Sequence, residues 1–268
     1  MHVREWGAGP PLLLVHGLMT SSYSWRYVLE ELGSRFHVVA PDLPGCGRTE
    51  PPSGKGYRAP ALATWIGELT RALGVRGCAA IGNSLGGYLC MRVALDDPGA
   101  LGRLVNIHSP GLPEARLSAL ALALGIPGMK AMLSWWVRRD PLRWAHANVH
   151  YFDETLKSLE EAREYGQPLA TEAGARAFVG YLSETLAPRD LRAFVSTLEQ
   201  RRDQALPFPV PLLLVYARRD PMVPPAIGPK LHALVPSAEL QWLEDSSHFA
   251  HVDTPDALLP VVLEFLTR

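Results

Sequence analysis

The chain has 268 residues, of which 47% are hydrophobic and 20% charged, an ordinary balance for a globular protein with a buried core. Its formal net charge of -1 offers no strong field for a polyanion, so we expect a small-molecule substrate, no nucleic acid and no membrane insertion. The three cysteines fit neither a disulfide framework nor a zinc site, and no apolar leader precedes the first strand, which together predict a cytoplasmic protein.

The first half of the sequence alternates short apolar runs with helical patterns. Four runs are continuous and end near Gly or Pro, which predicts strands buried on both faces: "PLLLVHG", "FHVVAPDLPG", "CAAIG" and "RLVNIH". Helical spacing of apolar residues predicts helices in "SSYSWRYVLEEL", "APALATWIGELTRAL" and "LGGYLCMRVAL". Repeated strand–helix units of this kind build a doubly wound, mostly parallel sheet with helices on both faces.

This alternation stops after His108. Only helical patterns occur from Pro113 to about Leu206, after which "PVPLLLVYARRD" and "AELQWLE" predict two more strands, each followed by a helix. We therefore predict an α/β core over residues 1–111 and 207–268, interrupted by a helical cap over residues 112–206. The longest apolar run, Leu117 to Ile126, is about half the length of a membrane span.

A serine lies between glycines at the end of the third predicted strand. The segment Gly82-Asn83-Ser84-Leu85-Gly86 fits G-x-S-x-G, with a strand before it and a helix directly after it. That context is typical of a strained corner that presents a nucleophile. The alternative is an ordinary glycine turn that includes a serine by chance.

A serine hydroxyl needs a general base, and the base needs an orienting acid. Asp220 follows the predicted strand "LLLVYARR", and His248 follows the strand "LQWL". Both lie at strand ends on the same rim as Ser84, and ligands bind at this rim of a doubly wound sheet. The sequence thus predicts a catalytic triad of Ser84, Asp220 and His248.

Five motifs in this order resemble the α/β-hydrolase superfamily, over nearly the whole chain outside the helical insert. They are "HGLMTSSYSW", "DLPGCGRT", "GNSLGG", "PLLLVYARRDPMVP" and "SHFAHVDTP". The resemblance implies an oxyanion hole formed by the backbone N–H groups of Leu18 and Leu85, with Met19 as the alternative to Leu18. It implies no metal and no organic cofactor, and it leaves the oligomeric state open.

Other polar residues near the predicted rim have simpler interpretations. His251 falls where the family pattern has no base, and His16 is expected to shape the oxyanion loop. Asp42 is interpreted as structural. His108 could contact substrate, but we favour a loop histidine.

The cap offers two open questions. Its tryptophans and its "LSALALALGIPGM" run either line an apolar pocket or pack the cap against the core. Its arginines are expected to form a solvated face rather than a carboxylate clamp: Arg138, Arg139 and Arg143.

These residues predict a serine hydrolase that cleaves a small, apolar ester. Haloalkane dehalogenases and epoxide hydrolases are similar in "SSYSWR" but use Asp at the elbow, whereas this chain has Ser84 followed by Leu85. Carbon–carbon hydrolases of aromatic-ring breakdown are the main alternative, because their elbow often reads "GNSMGG"; they often have Trp where this chain has Phe249. A catalytically inactive binding protein of the same fold is the third possibility.

Overall fold

The computed structural model describes residues 1–52, 54 and 56–268, so residues 53 and 55 of the predicted core segment lie outside it. Within these residues, seven strands form a single sheet in the order β1-β3-β2-β4-β5-β6-β7. Their bounds are β1 Val3–Trp6, β2 Pro11–Val15, β3 His37–Pro41, β4 Cys78–Asn83, β5 Leu101–Ile107, β6 Leu212–Ala217 and β7 Glu239–Leu243.

All pairs in this sheet are parallel except β1 with β3, which confirms the predicted doubly wound, mostly parallel sheet. The six predicted strands are present, whereas β1 was not predicted. Its sequence is only four residues long and carries Arg4 and Glu5 in the middle. It is an edge strand held by pairing with β3, so its composition alone gave no signal.

In the described part of the chain, twelve α-helices accompany the sheet. Their bounds are α1 Leu29–Gly33, α2 Ala59–Ala72, α3 Leu85–Asp96, α4 Ala115–Gly125, α5 Met129–Arg139, α6 Pro141–Asn148, α7 Leu159–Leu169, α8 Glu172–Gly180, α9 Pro188–Asp203, α10 Ile227–Leu234, α11 Ala250–Asp253 and α12 Pro255–Thr267. Short 3-10 turns occupy Ser22–Trp25 and Glu154–Leu156, and a π-helical turn occupies Tyr181–Thr185.

The helix predicted over Ser21 to Leu32 is wrong, because that segment divides into a 3-10 turn and the short helix α1. The Ser21 hydroxyl accepts from the Tyr23 N–H, and the Ser22 N–H donates to Asp42 Oδ1 at 2.8 Å. These bonds tie the first turn to the loop after β3 and prevent one continuous helix.

Between β5 and β6 the chain is helical, with α4 to α9 and no strand in residues 108–211, all of which the structure describes. The division into a core and a separate cap remains a prediction. Within the described part of the chain, no helix on its own has the length and apolar character to cross a membrane. Only α4 and α5 together meet those limits, and they are bent by 101°.

The central strands are buried on both faces. In β2, Leu12 and Leu14 pack into one hydrophobic cluster, and Leu13 and Val15 pack into another on the opposite face. This two-sided burial fixes the sheet between its helices and brings the carboxyl ends of β4, β5 and β6 to one edge.

Candidate active site

Ser84 occupies a sharp corner between β4 and α3. Its backbone angles are φ 53° and ψ -119°, a strained conformation for a non-glycine residue, and its N–H donates to the Ile107 carbonyl at 2.7 Å. A Cβ on Gly82 would lie 2.6 Å from the Gly87 Cα, and one on Gly86 would lie 2.1 Å from the Val15 oxygen. Both glycines are therefore required for the backbone to turn here.

Asp220 and His248 form a buried hydrogen-bonded pair. Asp220 follows β6, His248 follows β7, and Nδ1 of His248 lies 2.7 Å from Oδ2 of Asp220. The other carboxylate oxygen accepts from the N–H groups of Met222 and Val223, at 2.7 and 2.9 Å. Because a carboxylate only accepts, Nδ1 of His248 carries the proton and Nε2 keeps a lone pair that can take a proton.

The Asp220 carboxyl stays ionised despite its burial. Burial raises the pKa of Asp220. The His248 charge, the His248 hydrogen bond and the backbone donor at Val223 lower it by more than burial raises it, so the net shift of the pKa is downward. The carboxylate can therefore orient the imidazole and stabilise its cation.

The main-chain carbonyl of His248 is held by two side chains from neighbouring strand ends. Asn83, the residue before Ser84, donates from Nδ2 to this carbonyl oxygen at 3.0 Å. The Nδ1 of His108 also lies 3.0 Å from the same oxygen. These bonds link the loop that carries His248 to the corner that carries Ser84. Asn83 was part of the elbow motif, but the sequence gave no reason to assign it this contact.

Ser84 and His248 line one cavity of about 450 Å³. Its remaining lining is mostly apolar and comes from both the sheet edge and the helical insertion: Gly17, Leu18, Met19, Leu85, Pro110, Arg116, Leu117, Leu120, Leu133, Trp144, Asn148, Phe178, Leu182, Leu186, Met222, Val223 and Phe249. Asp220 is buried and does not line this cavity, so the His248 imidazole is the group that contacts both the carboxylate and the cavity.

The predicted oxyanion donors border this cavity. Leu85 begins α3, where backbone N–H groups have no intrahelical acceptor. Leu18 and Met19 both line the cavity, and neither N–H has an acceptor among the described residues. The alternative between these two residues therefore remains open.

His16 and Asp42 have structural contacts rather than cavity positions. The His16 Nε2 accepts from the Leu43 N–H at 2.9 Å, so Nδ1 carries the proton and donates to the Gly17 carbonyl at 2.8 Å. Asp42 accepts from the N–H groups of Ser22 and Arg48. Both residues shape the loops around the site, as expected from the sequence.

The two other histidines near the site are both fully buried. Burial lowers the pKa of His108 to about 4 and lowers the pKa of His251 well below its usual value. His251 stacks on Trp25 with ring centroids 4.3 Å apart, and neither of its ring nitrogens has a partner among the described residues. His251 does not line the cavity, whereas His248 does, so His248 is the better candidate for the general base.

His108, Asp220 and His248 bring ligand-type atoms within 4.8 Å of one another. The hydrogen bonds do not suit a metal ion, because His108 Nδ1 must carry a proton to donate to the His248 carbonyl, and His248 Nδ1 must carry one to donate to Asp220. We therefore interpret the group as part of the hydrogen-bonded site rather than as a metal centre.

The helical insertion contributes residues that the sequence did not single out. Asn148 and Arg116 line the cavity, and no motif marks helix residues of this kind. Of the three tryptophans, Trp144 lines the cavity, whereas Trp135 and Trp136 are 59% and 60% exposed. The three cap arginines are also exposed, as predicted for a solvated face.

A family model described as alpha/beta hydrolase fold matches residues 10–255. Haloalkane dehalogenase 2 of Mycobacterium tuberculosis is 29% identical over 98% of this chain and 90% of its own length. The pimeloyl-[acyl-carrier protein] methyl ester esterase of Aeromonas hydrophila is 27% identical over 98% of each chain. The solved structure of the epoxide hydrolase CorEH superposes with a TM-score of 0.82, at 24% identity over 99% of this chain and 94% of that one.

Proposed function

The chain belongs to the alpha/beta hydrolase fold family, and from that premise we propose that it is a serine hydrolase that cleaves a small, apolar carboxylic ester. The observation that carries the proposal is the bond between His248 and Asp220 beside a cavity that Ser84 also lines. Ester cleavage needs a nucleophile, a base and an orienting acid, and these three side chains supply them.

In the proposed reaction, Ser84 Oγ attacks the ester carbonyl while His248 Nε2 takes its proton. The Leu85 N–H and the N–H of Leu18, or of Met19, stabilise the oxyanion. Collapse of the tetrahedral intermediate breaks the C–O bond, and the leaving alcohol takes the proton from His248. Water then gives a proton to His248 and attacks the acyl-enzyme, which releases the acid and restores Ser84.

The cavity supports a small, apolar substrate. Its volume lies within the range of about 300 to 1,000 Å³ that is typical of small-molecule sites, and leucines and aromatic residues dominate the lining. The name of the Aeromonas relative, a methyl ester esterase, also supports an ester bond as the target.

Dehalogenation and epoxide hydrolysis, the activities named for two of the similar proteins, do not suit a serine nucleophile. Displacement of a halide, or opening of an epoxide, by Ser84 would leave an alkyl ether on the enzyme. An ether has no carbonyl for water to attack, so turnover would stop, whereas a carboxylate nucleophile forms a cleavable ester.

A fluorophosphonate probe tests the nucleophile. We expect covalent labelling of Ser84, located by mass spectrometry, and its loss in Ser84→Ala. Ser118→Ala, at an exposed position of α4, serves as the matched control and should label normally. Absence of labelling in a folded wild-type protein, or labelling of another residue, would contradict the proposal and favour a binding protein.

The bond that is cleaved is tested with substrates. We expect turnover of short p-nitrophenyl esters that falls about 10⁶-fold in kcat in Ser84→Ala. A ring-cleavage dienone tests the carbon–carbon hydrolase alternative suggested by the elbow sequence. Turnover of the dienone but not of the esters would replace the ester proposal while retaining Ser84 as nucleophile.

A further inference from the structure

The outer surface of the helical insertion is unusually apolar. Six of the twelve large hydrophobic side chains that are exposed among the described residues lie on α4, α5, α6 and the turns between them. We call these residues the α4–α6 patch: Leu122, Ile126, Met132, Trp135, Trp136 and Leu142. Large apolar side chains that are exposed within one short segment, residues 122–142, indicate contact with a membrane or a partner.

Helix α5 shows most clearly that this surface is organised. Met132, Trp135, Trp136 and Arg139 have the spacing i, i+3, i+4 and i+7, so they share one face of the helix. All four are exposed, while Val137 on the other side is fully buried. The helix therefore presents large apolar side chains to solvent as well as to the protein interior.

The same segment is strongly basic. Residues 115–148 contain five Lys or Arg residues and a single carboxylate, Asp140, a formal net charge of +4 in a chain whose total is -1. Among the residues that the structure describes, Arg116 is the one of these five that forms an ion pair, with Glu114. The other four have no carboxylate partner among the described residues: Lys130, Arg138, Arg139 and Arg143.

We propose that the α4–α6 patch docks the protein onto the surface of an anionic phospholipid bilayer. Exposed Trp and Leu side chains next to unpaired cations are the composition of helices that lie in the interface of such a membrane. A symmetric dimer through this patch is disfavoured, because it would bring two segments of charge +4 together. An acidic protein is the other partner of suitable charge.

Docking of this kind would place lipid close to the cavity. Leu117 and Leu120 of α4 and Leu133 of α5 line the cavity, while Leu122 and Trp136 of the same helices face solvent. The two helices therefore separate the docking surface from the candidate active site. The docking proposal itself does not depend on the serine hydrolase proposal, because its test involves no reaction.

Vesicle sedimentation tests the proposal. At low ionic strength we expect at least about tenfold stronger binding to vesicles of phosphatidylcholine mixed with phosphatidylglycerol than to phosphatidylcholine alone. Met132→Gln with Trp135→Gln should weaken binding about tenfold by removing apolar contact. Arg138→Gln with Arg139→Gln should weaken it by a similar factor. Gln is a good helix former, so the folds should be retained.

Matched controls lie outside the patch. Leu159→Gln removes a side chain that is 70% exposed, and Arg35→Gln with Arg71→Gln removes two exposed cations; both variants should bind as the wild type does. Lipids with brominated acyl chains should quench tryptophan fluorescence in the wild type and less in the Trp135 variant.

Three outcomes would overturn the proposal. The first is equal or absent binding to both kinds of vesicle, which would leave an acidic protein as the partner. The second is binding that the charge variant abolishes but the apolar variant leaves unchanged, since the patch would then not contact lipid. The third is a dimer in light scattering that Met132→Gln with Trp135→Gln dissociates.

Discussion

The sheet edge that carries Ser84, Asp220 and His248 differs from the helical insertion in how its polar groups are satisfied. Both oxygens of Asp220 accept hydrogen bonds, and the His248 carbonyl accepts two from neighbouring strand ends. On α5 and α6, the four cations have no carboxylate partner among the described residues, and Trp135 and Trp136 contact solvent. Fixed partners hold reacting atoms in place, whereas unpaired groups leave a surface free to bind something else.

After loss of the nucleophile itself, the largest expected effect concerns the partner that orients the base. Asp220→Asn should lower kcat for a p-nitrophenyl ester about 10⁴-fold, because the amide favours the wrong imidazole tautomer. Asp245→Asn, an exposed carboxylate paired with Arg219, is the control and should stay within about twofold. A small effect at Asp220, in protein with a normal circular dichroism spectrum, would show that the sheet edge does not depend on this bond.

Glycine substitution compares the backbones of the two regions. Gly86→Ala should lower the free energy of unfolding by about 4 kcal/mol, because its Cβ would lie 2.1 Å from the Val15 oxygen. Gly125→Ala, at the end of α4 with nothing within 4 Å of the added Cβ, should raise it by up to about 1 kcal/mol. Urea unfolding measures both, and equal changes would contradict the distinction.

The third prediction concerns acid stability. The His108 pKa is lowered to about 4 by burial, so protons bind the unfolded chain, with a pKa of about 6.5, more readily than the folded one. The neutral, buried His108 therefore contributes fully to the free energy of unfolding at pH values above the unfolded-state pKa. This contribution, about 3 kcal/mol, is lost as the pH falls towards the folded-state pKa.

His108→Asn should flatten this pH dependence in urea unfolding. Asn tolerates the φ of 52° found at this position and can still donate to the His248 carbonyl. His37→Gln, at a partly exposed histidine paired with Glu5, is the control. An unchanged slope in His108→Asn would assign the acid sensitivity to other groups, of which His251 is the first candidate.

The smallest expected effect tests the two sides of α4. Leu120→Trp fills part of the cavity, so kcat/KM for a long-chain p-nitrophenyl ester should fall about tenfold while that for the acetate changes little. Leu122→Trp, on the side that is 77% exposed, should leave both values unchanged. Equal effects of the two substitutions would mean that α4 does not border the substrate.

The elements that could be predicted from the sequence are those encoded locally. Continuous apolar strands and the glycines around Ser84 carry their signal within a few residues. Ser84, Asp220 and His248 each follow such a strand, so their positions at strand ends could be predicted as well. The strand β1 and the break before α1 depend on distant partners, β3 and Asp42, which no local pattern reveals.

The sequence predicts that the insertion is helical, but it does not predict which side of each helix faces solvent. Helix α5 has apolar residues on both sides, so periodicity could not tell that Trp135 faces solvent while Val137 is buried. The total charge of -1 likewise concealed the +4 of residues 115–148, because acidic residues elsewhere balance it. Averages over a whole chain are poor guides to a local surface.

The corner at Ser84 has a consequence for how such a protein can change over generations. The turn is imposed by Gly82, Gly86 and a main-chain bond to Ile107, and the Ser84 hydroxyl caps no helix N–H. The scaffold therefore supplies a position rather than a particular functional group. A single codon could exchange the attacking atom without rebuilding the architecture, which makes this corner an economical starting point for new reactions.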